Sequence, residues 1–137
     1  MTVACKACGV TVTVMLGQGA EQAVNGITIV ASSRPVASCA CGHVTTLDVS
    51  KAAIDAFHAR MPVAKASWRR GQTCSVCRAK LTLPARWTQL PVTVEQPLVC
   101  TVTCEVPAVR CPSCGVDQLP RYAKADLDLA VRRVLGA

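Results

Sequence analysis

Eight of the ten cysteines in the chain occur as closely spaced pairs. Cys74 and Cys77 form a pair with two intervening residues, and Cys111 and Cys114 form another, followed directly by Gly115. Two such pairs supply the four thiolates of a tetrahedral metal site, and glycine accepts the backbone conformation that the tight turn after a pair requires. These four cysteines predict a structural zinc site.

A second set of four cysteines lies earlier in the chain. Cys5 and Cys8 have the two-residue spacing, whereas Cys39 and Cys41 are separated by one residue. Two thiolates at this shorter spacing can still bind one metal ion, although the turn between them must be tighter. His43 is close enough in sequence to replace one of them, but we expect it to be an ordinary polar loop residue. The chain is therefore expected to bind two structural zinc ions through these eight cysteines.

Paired cysteines also occur in disulfides, redox-active pairs and rubredoxin-type iron sites. A thioredoxin-like pair is a single CxxC that opens a helix in a βαβ unit, whereas here two pairs close each strand-rich unit. Rubredoxin-type sites are surrounded by aromatic residues, and this chain has one Phe, one Tyr and two Trp. We therefore expect zinc rather than iron or a disulfide.

The two sets of cysteines belong to an internal repeat. Pro35 and Pro107 each stand four residues before the first cysteine of a second pair, and a glycine follows the pair in both halves. A helix-like segment comes next in each half, so two repeats of about 65 residues are the simplest account. We expect a small, metal-stabilised α+β protein. It would contain two tandem zinc-ribbon units, residues 1–61 and 73–137, each a β-hairpin-rich pair of zinc knuckles followed by a helix. Residues 62–72 would be a basic linker.

Hydrophobic periodicity gives the elements of each unit. Alternation over residues 10–16 predicts a strand that ends at Gly17-Gln18-Gly19, and Asn25-Gly26 predicts a hairpin turn. The first helix should begin at Asp48 or Ser50 and reach about residue 60, and the second should cover about residues 123–135. We expect the apolar stripes of the two helices to pack together, because each is larger than one small ribbon can cover.

Cys100 and Cys104 lie outside the pairs, on one face of a predicted strand that covers residues 98–106. Four strand residues place them about 13 Å apart, which is too far for a disulfide or a shared metal ion. We expect two buried free thiols, since cysteine packs as a small hydrophobic residue.

The chain carries a net charge of +7, and its central part accounts for all of it. No acidic residue occurs between Ala56 and Val94, whereas seven basic residues do. Two zinc ions, each bound by four thiolates, would lower the total to about +3 without changing this local excess. Trp68 and Trp87 lie in the same region, and aromatic side chains among basic residues can stack on bases. The simpler expectation is that both indoles cover the zinc cores while the charges face solvent. The candidate nucleic-acid-binding residues are Lys65, Trp68, Arg69, Arg70, Arg78, Lys80 and Arg86.

The sequence contains no recognisable catalytic motif. It has no HExxH, no glycine-rich phosphate loop, and no serine or cysteine with a plausible His–Asp pair. Zinc bound by four cysteines also leaves no open position for water or substrate. We therefore expect a non-enzymatic binding module.

Composition indicates the class of partner. Hydrophobic residues make up 51% of the chain and charged residues 17%, so small units would leave much nonpolar surface exposed. A protein partner or self-association is thus the first expectation, with no membrane and no small-molecule substrate. The alternative is nucleic acid or ribonucleoprotein, bound through the basic stretch from Arg60 to Arg86. The first residues lack a secretory signal and no apolar run approaches membrane-spanning length, so we expect a cytoplasmic, reducing setting.

The second half resembles the YgiT/MqsA-type zinc finger, the zinc-binding domain of a class of bacterial antitoxins. The resemblance is carried by Cys74 and Cys77, by Val92-Thr93-Val94, by residues 106–115 with their CPSCG motif, and by the terminal helix. It covers residues 72–137 well and residues 3–61 more loosely. It implies structural zinc and contact with a cognate toxin. In the family a helix-turn-helix domain follows and binds DNA, whereas this sequence shows two finger-like units in tandem and no such domain.

Overall fold

Two long β-hairpins, each followed by a helix, supply most of the fold. The computed structural model describes residues 1–69, 71–82 and 85–136. In chain order the elements are β1 (Thr2–Ala4), β2 (Thr11–Thr13), β3 (Met15–Val24), β4 (Ile27–Ser38), β5 (Val44–Thr46), α1 (Ser50–Arg60), β6 (Lys65–Ser67), β7 (Gly71–Thr73), β8 (Arg86–Val94), β9 (Cys100–Arg110), β10 (Asp117–Gln118) and α2 (Lys124–Leu135), with a 3₁₀ turn at Arg121–Ala123. The protein is thus a small α+β structure with more strand than helix, as predicted.

The two halves share one six-stranded sheet. The hairpins β3–β4 and β8–β9 meet where β4 pairs antiparallel with β9, with Thr28 opposite Glu105 and Ala31 opposite Val102. The short strand after each second cysteine pair then adds to its own half, β5 to β4 and β10 to β9. The order hairpin, cysteine pair, short strand, helix therefore occurs twice, as the repeat predicts.

The expected break at Gly17-Gln18-Gly19 is wrong, because β3 runs through it. The glycines are required by close packing rather than by a turn. A Cβ atom on Gly19 would lie 2.2 Å from the Ala31 carbonyl oxygen of β4, and one on Gly17 would lie 2.5 Å from a methyl group of Val36. The turn predicted at Asn25-Gly26 is confirmed, and both residues have positive φ, as a tight hairpin requires.

Both helices contribute to one hydrophobic core with the sheet. Buried residues alternate with more exposed ones over residues 27–31 of β4, 92–94 of β8 and 100–106 of β9, the pattern that a sheet with one covered face produces. The expected packing of the helical stripes is confirmed: Phe57 and Met61 of the first half share this core with Leu127, Val131 and Val134 of α2. The Val49 N–H also donates to the Leu135 carbonyl, 3.1 Å away, which ties the start of α1 to the end of α2.

Residues 62–72, expected to form a linker, contain strand structure. They include β6 and the beginning of β7, which pair antiparallel with each other. This β6–β7 hairpin directly precedes the third cysteine pair. A smaller cluster of buried residues lies beneath it and around the second cysteine group: Ala64, Cys74, Leu81, Val109 and Cys111.

None of the helices in the described ranges is both long and apolar enough to cross a membrane.

Candidate metal centres

The structure brings the eight paired cysteines together as two groups of four. Centre 1 consists of Cys5, Cys8, Cys39 and Cys41, and centre 2 consists of Cys74, Cys77, Cys111 and Cys114; within each group all Sγ atoms lie within 4.8 Å of one another. Each group joins one pair from the start of its half to one pair from the end of a long strand. The sequence assigned the same residues to the same two groups.

Sulfur–sulfur distances distinguish a metal site from a disulfide. The Sγ atoms are 3.7 Å apart for Cys5 and Cys41, and 3.5 Å apart for Cys8 and Cys39. In centre 2 the matching distances are 3.6 Å for Cys74 and Cys114, and 3.4 Å for Cys77 and Cys111. A disulfide bond is about 2.05 Å long. A tetrahedral ion with metal–sulfur bonds of about 2.3 Å separates its ligands by about 3.8 Å. The observed spacing therefore fits four thiolates around one metal ion.

Tight turns hold each pair in this arrangement. After Cys5 and Cys8, the Gly9 N–H donates to the Cys5 carbonyl at 2.8 Å, and Gly115 makes the same bond to Cys111 at 2.9 Å. Gly9, Gly42 and Gly115 all have positive φ, the region that glycine occupies without steric cost. His43 is exposed and accepts a backbone bond from Cys39 through its carbonyl, so it serves as a loop residue of centre 1.

Arg78 takes the place of glycine in the remaining turn. It follows Cys77 directly, donates its N–H to the Cys74 carbonyl at 3.0 Å, and has a φ of 65°. A side chain in this left-handed region costs of order 1 kcal/mol or more, and such residues cluster at functional positions. Comparison of the four cysteine pairs in the sequence could have singled out Arg78, because the other three pairs are each followed by glycine.

Backbone N–H groups in the turns favour thiolates over thiols. The N–H groups of Cys8 and Ala7 lower the pKa of Cys5 to about 6. At Cys74, burial raises the pKa, but hydrogen bonds from the Cys77 and Val76 N–H groups and from Gln118 outweigh it and bring the pKa to about 6. Hydrogen bonds of this kind stabilise the charged form of a ligand.

The remaining thiols of centre 2 cannot all ionise beside these thiolates. The Val116 N–H lowers the pKa of Cys114, yet burial and the three neighbouring thiols together raise it to about 12. Four thiolates at about 3.5 Å repel one another strongly unless a cation lies between them. A divalent ion removes this conflict, which makes the donor set chemically suited to a metal.

Gln118 of β10 supports centre 2 from outside the cysteine set. Its side chain is fully buried; Nε2 donates to Cys74 Sγ at 2.9 Å, and Oε1 accepts from the Ser75 N–H at 2.8 Å. Among the described residues no side-chain hydrogen bond of this kind reaches a cysteine of centre 1, and Cys39 there is only half-buried, whereas its counterpart Cys111 in centre 2 is buried. Nothing in the sequence marked Gln118, because a lone glutamine in a short strand resembles any surface residue.

Replacing Gln118 by Leu is expected to accelerate loss of metal from centre 2. The change removes an N–H···S bond and leaves the Ser75 N–H without its acceptor, and loss of such a supporting contact typically costs 10- to 100-fold in metal affinity. With Co²⁺ as the bound probe, release to EDTA can be followed through the cobalt–thiolate absorption. In the wild type we expect two phases, the faster from the more exposed centre 1.

The Gln118→Leu variant should bring the slow phase towards the fast one. Gln89→Leu is the matched control, because Gln89 is exposed on β8 and contacts neither centre. An unchanged slow phase in the Gln118 variant would contradict the role assigned to this residue.

Cys100 and Cys104 are buried free thiols, as predicted, and belong to neither group. Both side chains lie on the covered face of β9 within the main core. Burial raises the pKa of Cys104 to about 12, which keeps this thiol protonated and unreactive.

The candidate nucleic-acid residues are exposed, and the expectation that both indoles cover the metal cores is wrong. Trp68 is 89% exposed at the tip of the β6–β7 hairpin, and Trp87 is 53% exposed on β8. The core around centre 2 is closed instead by aliphatic residues such as Ala64 and Leu81. Five basic candidates are also exposed: Lys65, Arg69, Arg78, Lys80 and Arg86. Arg70 lies outside the described residues.

Comparison of the chain with family models gave no match, and comparisons with curated proteins and with solved structures gave none either. The resemblance of the second half to the YgiT/MqsA-type zinc finger therefore stays a prediction.

Proposed function

We propose that the protein is a non-enzymatic module with two zinc ions and two zinc-ribbon-like halves, and that it binds single-stranded nucleic acid through the β6–β7 hairpin. Zinc is the ion of choice for four cysteine ligands in closed tetrahedral geometry, and such sites are structural. The observation that carries the nucleic-acid proposal is the exposed Trp68 ring, which the Arg69 guanidinium covers at 5.1 Å from the ring centre.

An indole in this position contributes little to the packing of the fold. Trp68 leaves 89% of its side chain in water at a hairpin tip, although the same chain buries Phe57 completely. An exposed aromatic ring offers a surface on which any base can stack, and an adjacent arginine can add a phosphate contact or a cation–π contact.

The charges around centre 2 match this assignment. Lys65, Arg78, Lys80 and Arg86 are exposed, and none has a carboxylate within 4.0 Å in the described part of the chain. Unpaired cations attract a phosphate backbone and release its counterions on binding. The strained backbone at Arg78 supports the same conclusion, since glycine would satisfy the turn at lower cost and a bound phosphate gives a reason for arginine.

Part of the nonpolar surface that favoured a protein partner is buried in the fold. That expectation rested on nonpolar surface left over from two small units, but the two helical stripes are buried against one shared sheet. The alternative, nucleic acid, is therefore the function that we propose. An antitoxin-like role and a cytoplasmic location remain predictions from the sequence.

Replacing Trp68 by Ala is expected to weaken binding of a ten-nucleotide oligouridylate by about 5- to 150-fold, the effect of losing one base–aromatic stacking contact. Trp68→Phe should restore part of the affinity, since phenylalanine keeps a ring. Fluorescence anisotropy across a salt series measures both affinity and the number of phosphate contacts. Arg69→Gln should reduce the salt slope by about 0.7, as expected for one lost contact on a single strand.

The matched charge control is Arg133→Gln, an exposed arginine on α2. Arg78→Gly adds a second test in the same assay. It should weaken binding while leaving the free energy of unfolding within about 1 kcal/mol of wild type, because it relieves backbone strain but adds freedom to the unfolded chain. Equal salt slopes for the Arg69 and Arg133 variants, together with unchanged affinity in Trp68→Ala, would refute the proposal.

A further inference from the structure

A cleft of about 260 Å³ lies at the end of the sheet next to centre 2. It is lined by Arg86, Trp87 and Thr88 of β8, by Ala108 and Arg110 of β9, and by Asp117 of β10. Its location follows from the fold, because β9 continues past the first residue of β8, and Cys111 comes directly after Arg110. Neither the metal centres nor the β6–β7 hairpin accounts for this concentration of polar groups.

Asp117 fixes the orientation of one guanidinium in the cleft. The Arg110 Nε donates to Asp117 Oδ1 at 3.0 Å, and an Nη of the same group donates to Oδ2 at 3.3 Å. A guanidinium has five N–H donors, so this two-point contact leaves the others free in a defined plane. The free N–H groups of Arg110 can therefore donate to a second anion without a change in side-chain orientation.

Arg86 brings a second guanidinium to the same face. It lies opposite Ala108 in the β8–β9 register, and Ala108 and Arg110 are two residues apart on β9. Residues related in this diagonal way lie about 7–8 Å apart at their backbones, within joint reach of long side chains. Arg86 is exposed and has no carboxylate partner among the described residues. The small side chain of Ala108 between the two arginines leaves space for a ligand.

We propose that this cleft binds the phosphate group of a nucleotide between Arg86 and Arg110, with the Thr88 hydroxyl as a further donor. Two arginines and a hydroxyl on one face suit a tetrahedral phosphate group better than a planar carboxylate. This proposal rests on the proposed function, because the nucleotide would belong to the single-stranded nucleic acid that the β6–β7 hairpin binds. The cleft is placed for this, because Leu119, two residues after Asp117, bridges to Val63, two residues before β6.

The test separates the cleft from the hairpin. Uridine monophosphate, inorganic phosphate and uridine are titrated separately into the zinc-loaded full-length protein, and the Arg86 Nε–H and the Thr88 backbone amide are followed by ¹H–¹⁵N NMR. We expect both phosphate-containing probes to shift these signals and uridine to leave them in place. Arg86→Gln should weaken the uridine monophosphate response about tenfold or more, as expected for a lost charge-assisted contact, and Arg133→Gln should not.

Several outcomes would overturn the proposal. Equal shifts from uridine would assign the site to the nucleoside, equal shifts from a glutamate-rich peptide would assign it to carboxylates, and silent cleft signals would exclude a phosphate there. Unchanged zinc content and urea midpoint in Arg86→Gln keep the comparison free of folding effects. The two proposals can fail independently. Cleft signals that respond to uridine monophosphate when the oligouridylate does not bind would support the cleft alone, whereas oligouridylate binding that depends on Trp68 with a silent cleft would support the hairpin alone.

Discussion

Replacing Cys111 by Ser is expected to unfold both halves of the protein together and thereby to remove both zinc ions, including the ion of centre 1. Structural zinc contributes an apparent binding free energy of about 10–16 kcal/mol, and most of it is folding free energy, because the unfolded chain has no preformed site. Domains of this size seldom have more than about 5–15 kcal/mol of net stability, so loss of one centre exceeds what the core can offset.

Both halves should unfold together because they share one β-sheet. Cys111 directly follows β9, and β9 pairs with both β8 and β4. When centre 2 is lost, β9 loses its anchor, and the first half loses the strand that covers β4. Elemental analysis would give the zinc content, and circular dichroism in a urea series would show whether any cooperative unfolding transition remains.

Cys104→Ala is the matched control, because Cys104 is a buried cysteine on β9 that contacts no metal. This variant should keep two zinc ions and lose only about 1 kcal/mol, the cost of a small buried cavity. A Cys111→Ser protein whose residues 1–61 stay protected in hydrogen exchange would show instead that the first half is stable alone.

Replacing Phe57 by Ala is expected to cost about 3–5 kcal/mol, the range for removing a large buried aromatic side chain. Phe57 is fully buried, and its core contains side chains of α2 and β9 from the second half. The destabilisation should therefore lower the unfolding midpoint of the whole chain in a single cooperative transition, without loss of either zinc ion from the folded state.

Two control variants are expected to be less destabilising than Phe57→Ala. Phe57→Leu keeps most of the volume and should cost less than about 1.5 kcal/mol, whereas Leu129→Ala changes an exposed residue of α2 and should cost less than about 0.5 kcal/mol. Urea midpoints and slopes measured for the three variants give the free energies. If Phe57→Ala produced a second, earlier transition confined to the first half, the shared core would not couple the halves as we infer.

The structure changes how the basic stretch is understood. In the sequence it combines a linker with part of a metal-binding unit, whereas in the fold its residues 65–73 belong to a hairpin with Trp68 and Arg69 at the turn. Metal binding lowers the total charge, but it acts at the thiolates and leaves the surface cations in place. This arrangement is the reason for preferring nucleic acid over a protein partner.

The sequence by itself determined the features that depend on local pattern. The spacing of the paired cysteines identified both metal groups, and alternation over β9 correctly placed Cys100 and Cys104 on the buried face. The helix prediction was close, since α1 begins at Ser50 and α2 ends at Leu135. Each of these properties is set by residues a few positions apart, or by a ligand chemistry that admits few alternatives.

Only the tertiary structure decided what depends on distant neighbours. Pairing of β4 with β9 makes one sheet from two repeats. The sequence could not predict this pairing, because the backbone N–H and C=O groups that form it are the same in nearly every residue, so either strand could have remained at the edge of its own unit. The same holds for Gly19, which is required by the approach of β4, and for Gln118, which matters because β10 brings it to Cys74. Trp68 is exposed because it lies in the turn of the β6–β7 hairpin, and the core near this hairpin is already filled by other residues.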